Sequence, residues 1–191
     1  MDTISKHRCI IGEGPIWNEF NNKLYHVNGF GANEICSIDK NGIVKVLLDG
    51  LILSNGFDWS MDEKRLYHTD SDTGIIKEYD FDIEKGTIRF TGRQVNVRGV
   101  DGFTIDKNDF LYVACWGQGH IAIIDTADMQ VKEYIEVPAK IPASCGFAGE
   151  NMESLVVVTA SLGIDVEKDV SAGFTFIKKM NVSGRKPYLF G

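Results

Sequence analysis

One stretch sets the pattern for the whole chain: Ser54 to Asp70, which reads SNGFDWSMDEKRLYHTD. A polar turn leads into a short alternating run through Phe57 and Trp59, a charged turn follows, and a second apolar run begins at Leu66. Alternating apolar and polar residues between turn residues are typical of β-strands. The stretch therefore predicts two short strands joined by a tight turn.

The same hairpin pattern recurs along the chain. Leu-Tyr pairs begin at residues 24, 66 and 111, and a degenerate Leu-Val pair begins at 155, so the spacings are 42, 45 and 44 residues. Two further strand-like runs follow each of the first three hairpins and one follows the fourth. They are Glu34 to Ile38, Val44 to Leu48, Ile75 to Phe81, Thr87 to Val95, His120 to Ile124, Val131 to Val137 and Gly173 to Lys178. A period of about 40 to 45 residues with four strands per repeat is typical of propeller blades.

These repeats predict an all-β fold, a β-propeller of four-stranded blades, as a single domain over residues 1–191. A β-sandwich or single barrel is the alternative, since those folds also alternate short strands, but they do not require such regular repeats. The last repeat is one strand short. We expect Thr3 to Ile10 to pair with Pro187 to Phe190 and close the ring, which would remove exposed sheet edges.

Composition excludes several classes of function. Apolar residues make up 43% of the chain and charged residues 25%, as in ordinary globular proteins. The net charge of -7 disfavours nucleic acid as a partner. No apolar run approaches the roughly 18 residues of a membrane span, and the N-terminal residues are too polar for a signal peptide. We therefore expect a cytoplasmic protein that does not bind membranes.

Equivalent positions in the repeats carry oxygen-bearing side chains. Counted back from each Leu, position -11 is Glu13, Asn55 and, in the fourth repeat, Ser144, while position -10 of the third repeat is Asp101. The first strand of every blade lines the central channel, so these residues face one another. Glycine follows the first three, which lets the backbone turn tightly there.

Two carboxylates and an amide oxygen at one channel mouth form a hard oxygen site, suited to Ca²⁺, Mg²⁺ or Mn²⁺. The alternative is that Asn-Gly and Asp-Gly are only turn signals, because they are the commonest hairpin turns. Oxygen-bearing side chains at offsets of -11, -11 and -10 in three repeats favour a metal site at Glu13, Asn55 and Asp101.

Other candidates have simpler interpretations. The run Asp70 to Gly74 resembles the start of a calcium loop, but its glycine is one position early and Phe81 stands where a loop Glu belongs, so it is predicted to be a turn. His26 and His68 share a phase and are expected inside their blades. Four scattered cysteines lack metal-site spacing and are read as buried thiols: Cys9, Cys36, Cys115 and Cys145. Burial also disfavours Cys115 as a nucleophile.

Four motifs carry a resemblance to a known family: Gly12 to Trp17, Ser54 to Ser60, Asp101-Gly102 with Leu111 to Trp116, and Pro142 to Phe147. They resemble the gluconolactonase and regucalcin family, which includes senescence marker protein 30 and the luciferin-regenerating enzyme. The resemblance implies a propeller that hydrolyses sugar lactones with a bound divalent metal. Ca²⁺ is favoured, with Mg²⁺, Mn²⁺ and Zn²⁺ as alternatives. The family's Glu, Asn and Asp ligands fall at Glu13, Asn55 and Asp101.

The chain departs from that family in length. Members are generally six-bladed, whereas this chain has material for four blades, and whole repeats are a natural unit to lose. After Asn28 the sequence resembles the end of the family's third blade. The family's substrate-binding segment, with its Arg and Asn, has no counterpart here.

Two functions follow as hypotheses. The first is a metal-dependent lactonase in which Asp101 is both a ligand and the general base for the attacking water. The second is a non-catalytic calcium-binding or scaffold propeller, because the substrate-binding segment is missing. An open ring would also leave a blade edge for another chain and so favour an oligomer.

Overall fold

The computed structural model describes residues 11–18, 23–29 and 34–186, with side chains described for 23–25 and 34–186. These residues form fifteen β-strands in four antiparallel sheets, and within each sheet every strand pairs with the next along the chain. Blade 1 contains β1 (Ile11–Asn18), β2 (Lys23–Gly29), β3 (Glu34–Asp39) and β4 (Val44–Leu48). Blade 2 contains β5 (Ser54–Trp59), β6 (Arg65–Asp70), β7 (Ile75–Asp82) and β8 (Thr87–Asn96).

Blade 3 contains β9 (Val100–Ile105), β10 (Phe110–Cys115), β11 (His120–Asp125) and β12 (Gln130–Glu136). Blade 4 contains β13 (Pro142–Ala148), β14 (Ser154–Thr159) and β15 (Thr175–Lys179). The prediction of a β-propeller of four-stranded blades is confirmed, and the predicted strand runs agree with the observed strands to within one or two residues. In the described part of the chain, no helix is long and apolar enough to span a bilayer.

The turns form where the sequence places short polar residues. In the β3–β4 turn, the Asp39 carboxylate accepts hydrogen bonds from the backbone N–H groups of Asn41 at 2.8 Å and Ile43 at 3.0 Å. Gly42 has a positive φ of 76°, which glycine adopts without steric cost. A side chain that hydrogen-bonds its own turn in this way fixes the register of the hairpin that follows.

Neighbouring blades pack face to face through apolar clusters. Tyr25 of blade 1 meets Trp59 of blade 2 edge to face, with ring centroids 5.1 Å apart. Tyr67 and Ile76 of blade 2 belong to one cluster with Val113 of blade 3. A third cluster lies between blades 3 and 4. This side-by-side packing brings the inner strands β1, β5, β9 and β13 next to one another.

Blade 4 has three strands within the described residues, in the order β13-β14-β15. The expected closure of the ring by Thr3 to Ile10 and Pro187 to Phe190 lies outside the described residues.

The segment after β15 contacts three blades at the hairpins that join their first two strands. Gly184 donates its backbone N–H to the Met152 carbonyl of blade 4 at 2.8 Å and forms a bridge with Asp106, just after β9 of blade 3. Arg185 then contacts β5 of blade 2, where it forms an ion pair with Asp58 and donates to the Trp59 carbonyl at 3.3 Å. The segment therefore connects the hairpin ends of blades 2, 3 and 4.

Candidate metal and substrate site

Strand register places the three predicted ligands at one equivalent position. In each inner strand, the residue paired with the Leu of the repeat lies four residues after the predicted ligand. The three sets of ligand, paired inner-strand residue and Leu are Glu13, Trp17 and Leu24; Asn55, Trp59 and Leu66; and Asp101, Ile105 and Leu111. The sequence offset is one residue smaller for Asp101 because the hairpin of blade 3 is one residue shorter. Glu13, Asn55 and Asp101 are therefore structurally equivalent.

All three positions lie at an irregularity in strand pairing. Regular pairing in blade 2 stops at Ser54 and resumes at Phe57, so Asn55 lies within a bulge, and Asp101 lies within the corresponding bulge of β9. In β1 the pairing is interrupted directly after Glu13. Bulges bend a strand and change the direction of its side chains, and they are common beside active sites.

The inner strands approach each other closely beside these bulges. A Cβ atom at Gly56 would lie 2.7 Å from the Asp101 carbonyl oxygen, and one at Gly102 would lie 2.4 Å from the Ser144 hydroxyl oxygen. No side chain fits at either glycine without movement of its neighbour. The close approach brings the Asn55 and Asp101 backbones together at one end of the channel.

The fourth inner strand corrects one sequence-based assignment. Phe147 pairs with Leu155, so the position four residues earlier is Ala143, and Ser144 is equivalent to Gly102. The hairpin of blade 4 is one residue longer than that of blade 2, so counting back eleven residues from Leu155 stops one residue short of the position. Ser144 is therefore not at the ligand position, which in blade 4 carries no oxygen-bearing side chain.

Side chains are described for two of the three residues predicted to bind the metal. Asn55 and Asp101 are partly exposed, and Asp101 has an interaction partner. The backbone of Glu13 is described, but its side chain lies outside the described part. Among the described side chains, no group of three or more His, Cys, Asp or Glu residues is arranged to hold a metal ion. An Asn and an Asp alone would not form such a group.

The loop before β5 is fixed by Asp70, which the sequence predicted to be part of a turn. Both carboxylate oxygens accept backbone hydrogen bonds, from Ile52 and Leu53, each at 2.9 Å. Asp70 also pairs with Ser54 across the hairpin. Its carboxylate therefore holds the chain that leads into Asn55. The predicted turn over Asp70 to Gly74 is confirmed, because Thr73 donates its backbone N–H to the Asp70 carbonyl at 3.0 Å.

His68 lies inside blade 2 beneath the same bulge. Its Nε2 atom is 3.0 Å from the Ser54 hydroxyl, and both side chains are buried. Burial lowers the pKa of His68 to about 3, with Lys77 adding to the effect and Asp70 opposing it. The imidazole is therefore neutral at physiological pH and has a structural role, as predicted. The side chain of His26 lies outside the described part.

The cysteine predictions are largely confirmed. Cys36 and Cys115 are fully buried and Cys145 is partly buried, while Cys9 lies outside the described residues. Burial raises the pKa of Cys115 to about 11, so its thiol is not a ready nucleophile.

Two features near the channel were not predicted from the sequence. Trp116 directly follows β10 at the end where Cys115 pairs with Val100, next to Asp101, and 38% of its surface is exposed. Its backbone lies against Gly99, where a Cβ atom would be 2.3 Å from the Trp116 carbonyl oxygen. Trp116 therefore follows the strand end that lies next to Asp101 in register, and its side chain is partly exposed.

The second feature is the Asp58–Arg185 ion pair at the opposite end of β5 from Asn55. Burial raises the pKa of Asp58, while the charge of Arg185 opposes the rise. In the sequence, Asp58 stands between Phe57 and Trp59, and an acidic residue between two buried aromatics indicates a buried charge. The sequence does not identify its partner, because Arg185 lies 127 residues away.

Comparisons with known proteins show a consistent relationship. A family model described as the SMP-30/Gluconolactonase/LRE-like region matches residues 28–161. Regucalcin from Danio rerio is 33% identical over 150 residues, covering 74% of this chain and 51% of the relative. An uncharacterized protein from Sulfolobus acidocaldarius is 35% identical over 151 residues, covering 77% of this chain and 52% of the relative. This chain thus spans about half the length of these relatives.

A solved structure supports the fold. The structure of regucalcin from Agrobacterium tumefaciens, described as a calcium-binding protein, is 23% identical with a TM-score of 0.81. It covers 94% of this chain and 64% of its own chain. The likeness extends over all four blades and leaves about a third of the larger protein unmatched.

Proposed function

Because the chain belongs to the SMP-30/gluconolactonase/LRE-like family, we propose that it is a metal-dependent hydrolase of sugar lactones. The observation that carries the proposal is the equivalence of Glu13, Asn55 and Asp101 in strand register. The family motifs select the same three residues. Repeat geometry and family resemblance are separate arguments, and they agree on one site.

The residues present fit a divalent cation. Two carboxylates and one amide oxygen are the donor types preferred by Ca²⁺, and they also suit Mg²⁺ and Mn²⁺, whereas Zn²⁺ more often takes nitrogen and sulfur ligands. Gly56 and Gly102 allow the inner strands to approach each other closely beside Asn55 and Asp101. Glu13, Asn55 and Asp101 would hold the ion, with Ca²⁺ favoured. When bound, the cation would supply Lewis-acid polarisation of the lactone carbonyl.

Asp101 is proposed as the general base. Its carboxylate would accept a proton from the attacking water as the water oxygen bonds to the lactone carbonyl carbon. The ring carbon–oxygen bond then breaks, and Asp101 returns the proton to the leaving alkoxide to give the hydroxy acid. Asn55 cannot take up a proton in this way and serves only as a ligand.

Neighbouring residues would position this machinery. The Asp70 carboxylate fixes the loop before β5, and the Ser54–His68 contact holds the strand below Asn55. The partly exposed ring of Trp116 would offer an apolar face near Asp101, and sugar rings present apolar C–H faces that can pack against aromatic side chains. Trp116 is therefore proposed as a wall of the lactone site.

The second candidate is a non-catalytic calcium-binding or scaffold propeller. It is favoured by the coverage of only about half of the curated relatives and by the missing substrate-binding segment. Binding of Ca²⁺ in a calorimeter without saturable lactone turnover would support this candidate and exclude the first.

The test is hydrolysis of glucono-1,5-lactone with Ca²⁺, Mg²⁺, Mn²⁺ and Zn²⁺ in turn. Spontaneous hydrolysis is subtracted, and the supporting result is saturable turnover that EDTA abolishes. Asp101→Ala should lower kcat by at least about a hundredfold, as expected for loss of a general base. Asp72→Ala is the matched control, because it removes an exposed carboxylate from the β6–β7 turn with the same change in net charge. Wild-type turnover by Asp101→Ala would refute the assignment.

A further inference from the structure

The position directly after the ligand position differs between blade 4 and the other blades. Strand register places it three residues before the inner-strand residue that pairs with the Leu of each repeat. It holds Gly14, Gly56 and Gly102 in blades 1 to 3, and Ser144 in blade 4. Because glycine has no side chain, Ser144 carries the one side chain among these four equivalent positions.

The Ser144 hydroxyl lies against the strand that carries Asp101. A Cβ atom at Gly102 would be 2.4 Å from Ser144 Oγ and 2.7 Å from Ser144 Cβ, so the serine side chain occupies the space that the glycine leaves free. Gly102 directly follows Asp101 in β9. The hydroxyl therefore lies one residue along the strand from the residue proposed as general base.

This hydroxyl is available to a ligand. Ser144 is partly exposed, and its side chain has no hydrogen-bond partner among the residues that the structure describes. The hydroxyls of Ser54 and Ser60, in contrast, contact His68 at 3.0 Å and Asp62 at 2.7 Å. A free hydroxyl can both donate and accept a hydrogen bond, as can the hydroxyl groups of a sugar.

Blade 4 also has no oxygen-bearing side chain at the ligand position itself, because Ala143 stands there. The three proposed metal ligands all come from blades 1 to 3. The side of the site toward blade 4 is therefore left to water or substrate, and Ser144 belongs to that side.

We propose that Ser144 is a substrate-binding residue, whose hydroxyl forms a hydrogen bond with a ring hydroxyl of the lactone. This role rests on the proposed lactonase activity and adds a basis for its selectivity. A site that hydrogen-bonds a substrate hydroxyl discriminates against an analogue without it, because the polar group of the site then loses its partner. Ser144 thus favours hydroxylated sugar lactones over unsubstituted cyclic esters.

The test compares two lactones of equal ring size in the Ser144→Ala variant: glucono-1,5-lactone, which carries ring hydroxyls, and δ-valerolactone, which has none. The variant should lower kcat/KM for glucono-1,5-lactone roughly three- to tenfold, as expected for the loss of one hydrogen bond between uncharged groups. It should leave kcat/KM for δ-valerolactone unchanged. Calcium affinity in calorimetry should also stay unchanged, since Ser144 is not at the ligand position. Circular dichroism checks that the fold is intact.

Ser154→Ala is the matched control. Ser154 is also a partly exposed serine of blade 4, but it pairs with Ala148 at the end of the sheet opposite Ser144. This variant should leave kcat/KM for both lactones unchanged.

An unchanged preference between the two lactones in Ser144→Ala would overturn the proposal, as would a loss of calcium affinity, which would indicate a role in metal binding. A wild type without turnover would refute the lactonase activity. In that case, titration of D-gluconate, which retains the sugar hydroxyls, into the calcium-loaded protein decides the role of Ser144. Weaker gluconate binding by Ser144→Ala would support the proposal, whereas unchanged affinity, or no binding by the wild type, would overturn it.

Discussion

Replacing Arg185 by Met should destabilise the protein strongly and in a pH-dependent way. Arg185 forms an ion pair with Asp58 beneath blade 2, and the two side chains are 16% and 10% exposed. Removing one partner of a buried pair costs about 3–5 kcal/mol because the other charge is left uncompensated. Some water reaches Arg185, so we expect a value near the lower limit, about 3 kcal/mol. With a urea m-value of about 2 kcal/mol/M, the midpoint should fall by about 1.5 M.

The pH dependence follows from Asp58. Burial raises its pKa in the folded state, with Arg185 opposing the rise. A raised folded pKa means that protonation favours the folded protein, so this contribution is present at low pH and is lost as pH rises through the folded pKa. Without Arg185 the pKa rises further. The variant's loss of stability should therefore be larger at about pH 8 than at about pH 5.

Urea unfolding monitored by tryptophan fluorescence at both pH values measures the effect. Lys168→Met is the matched control, because the Lys168–Asp165 pair is largely exposed and such pairs contribute about 0–1 kcal/mol. The double variant Asp58→Asn with Arg185→Met should recover much of the loss, since no buried charge remains. An Arg185→Met loss no larger than that of Lys168→Met, or independent of pH, would refute this account.

Three further predictions concern the candidate site. Asn55→Ala should weaken calcium binding in calorimetry at least about tenfold but lower kcat less than Asp101→Ala, because only Asp101 is proposed to move a proton; equal losses of kcat would contradict the division of roles. Gly102→Ala should weaken calcium binding because the added methyl group collides with Ser144. Adding Ser144→Gly should restore part of the affinity. A calcium affinity unchanged by Gly102→Ala would show that the close approach is not needed. Trp116→Ala should raise KM about tenfold with little change in kcat, measured with glucono-1,5-lactone, whereas an unchanged KM would exclude the indole from the substrate wall.

The repeated hairpin made most of the fold predictable. A Leu-Tyr pair at a steady period identifies the second strand of each blade, and turn residues such as Asp39 and Gly42 mark where strands end. These patterns could be read from the sequence because each blade is built from consecutive strands, so a strand and its turns lie close together in the chain. Strand bounds inferred from them were correct to within one or two residues.

Register was predicted less well because it depends on hairpin length. Counting from the Leu gave different offsets for Asn55 and Asp101, although their positions are equivalent. The same count selected Ser144 when the equivalent residue is Ala143. A hairpin that gains or loses one residue shifts such a count by one, and only the observed strand pairing corrects it.

Contacts between distant segments were not predictable at all. Nothing near Asp58 in the sequence indicates that its counterion is Arg185, and nothing near Ile177 indicates that this side chain is 71% exposed while the equivalent Glu78 and Ile123 are buried. Both properties depend on how blades are placed relative to one another. Periodicity within a blade carries no information about that placement.

The tie between Arg185 and Asp58 also bears on synthesis at the ribosome. The two residues are 127 positions apart, and at about 5–20 residues per second the ribosome needs roughly 6–25 s to travel that distance. During that interval the aromatic residues of blade 2 are already available for collapse, but the carboxylate among them has no counterion. The nascent blade therefore should not mature until its arginine has been translated, and this delay favours assembly of the blades as one unit.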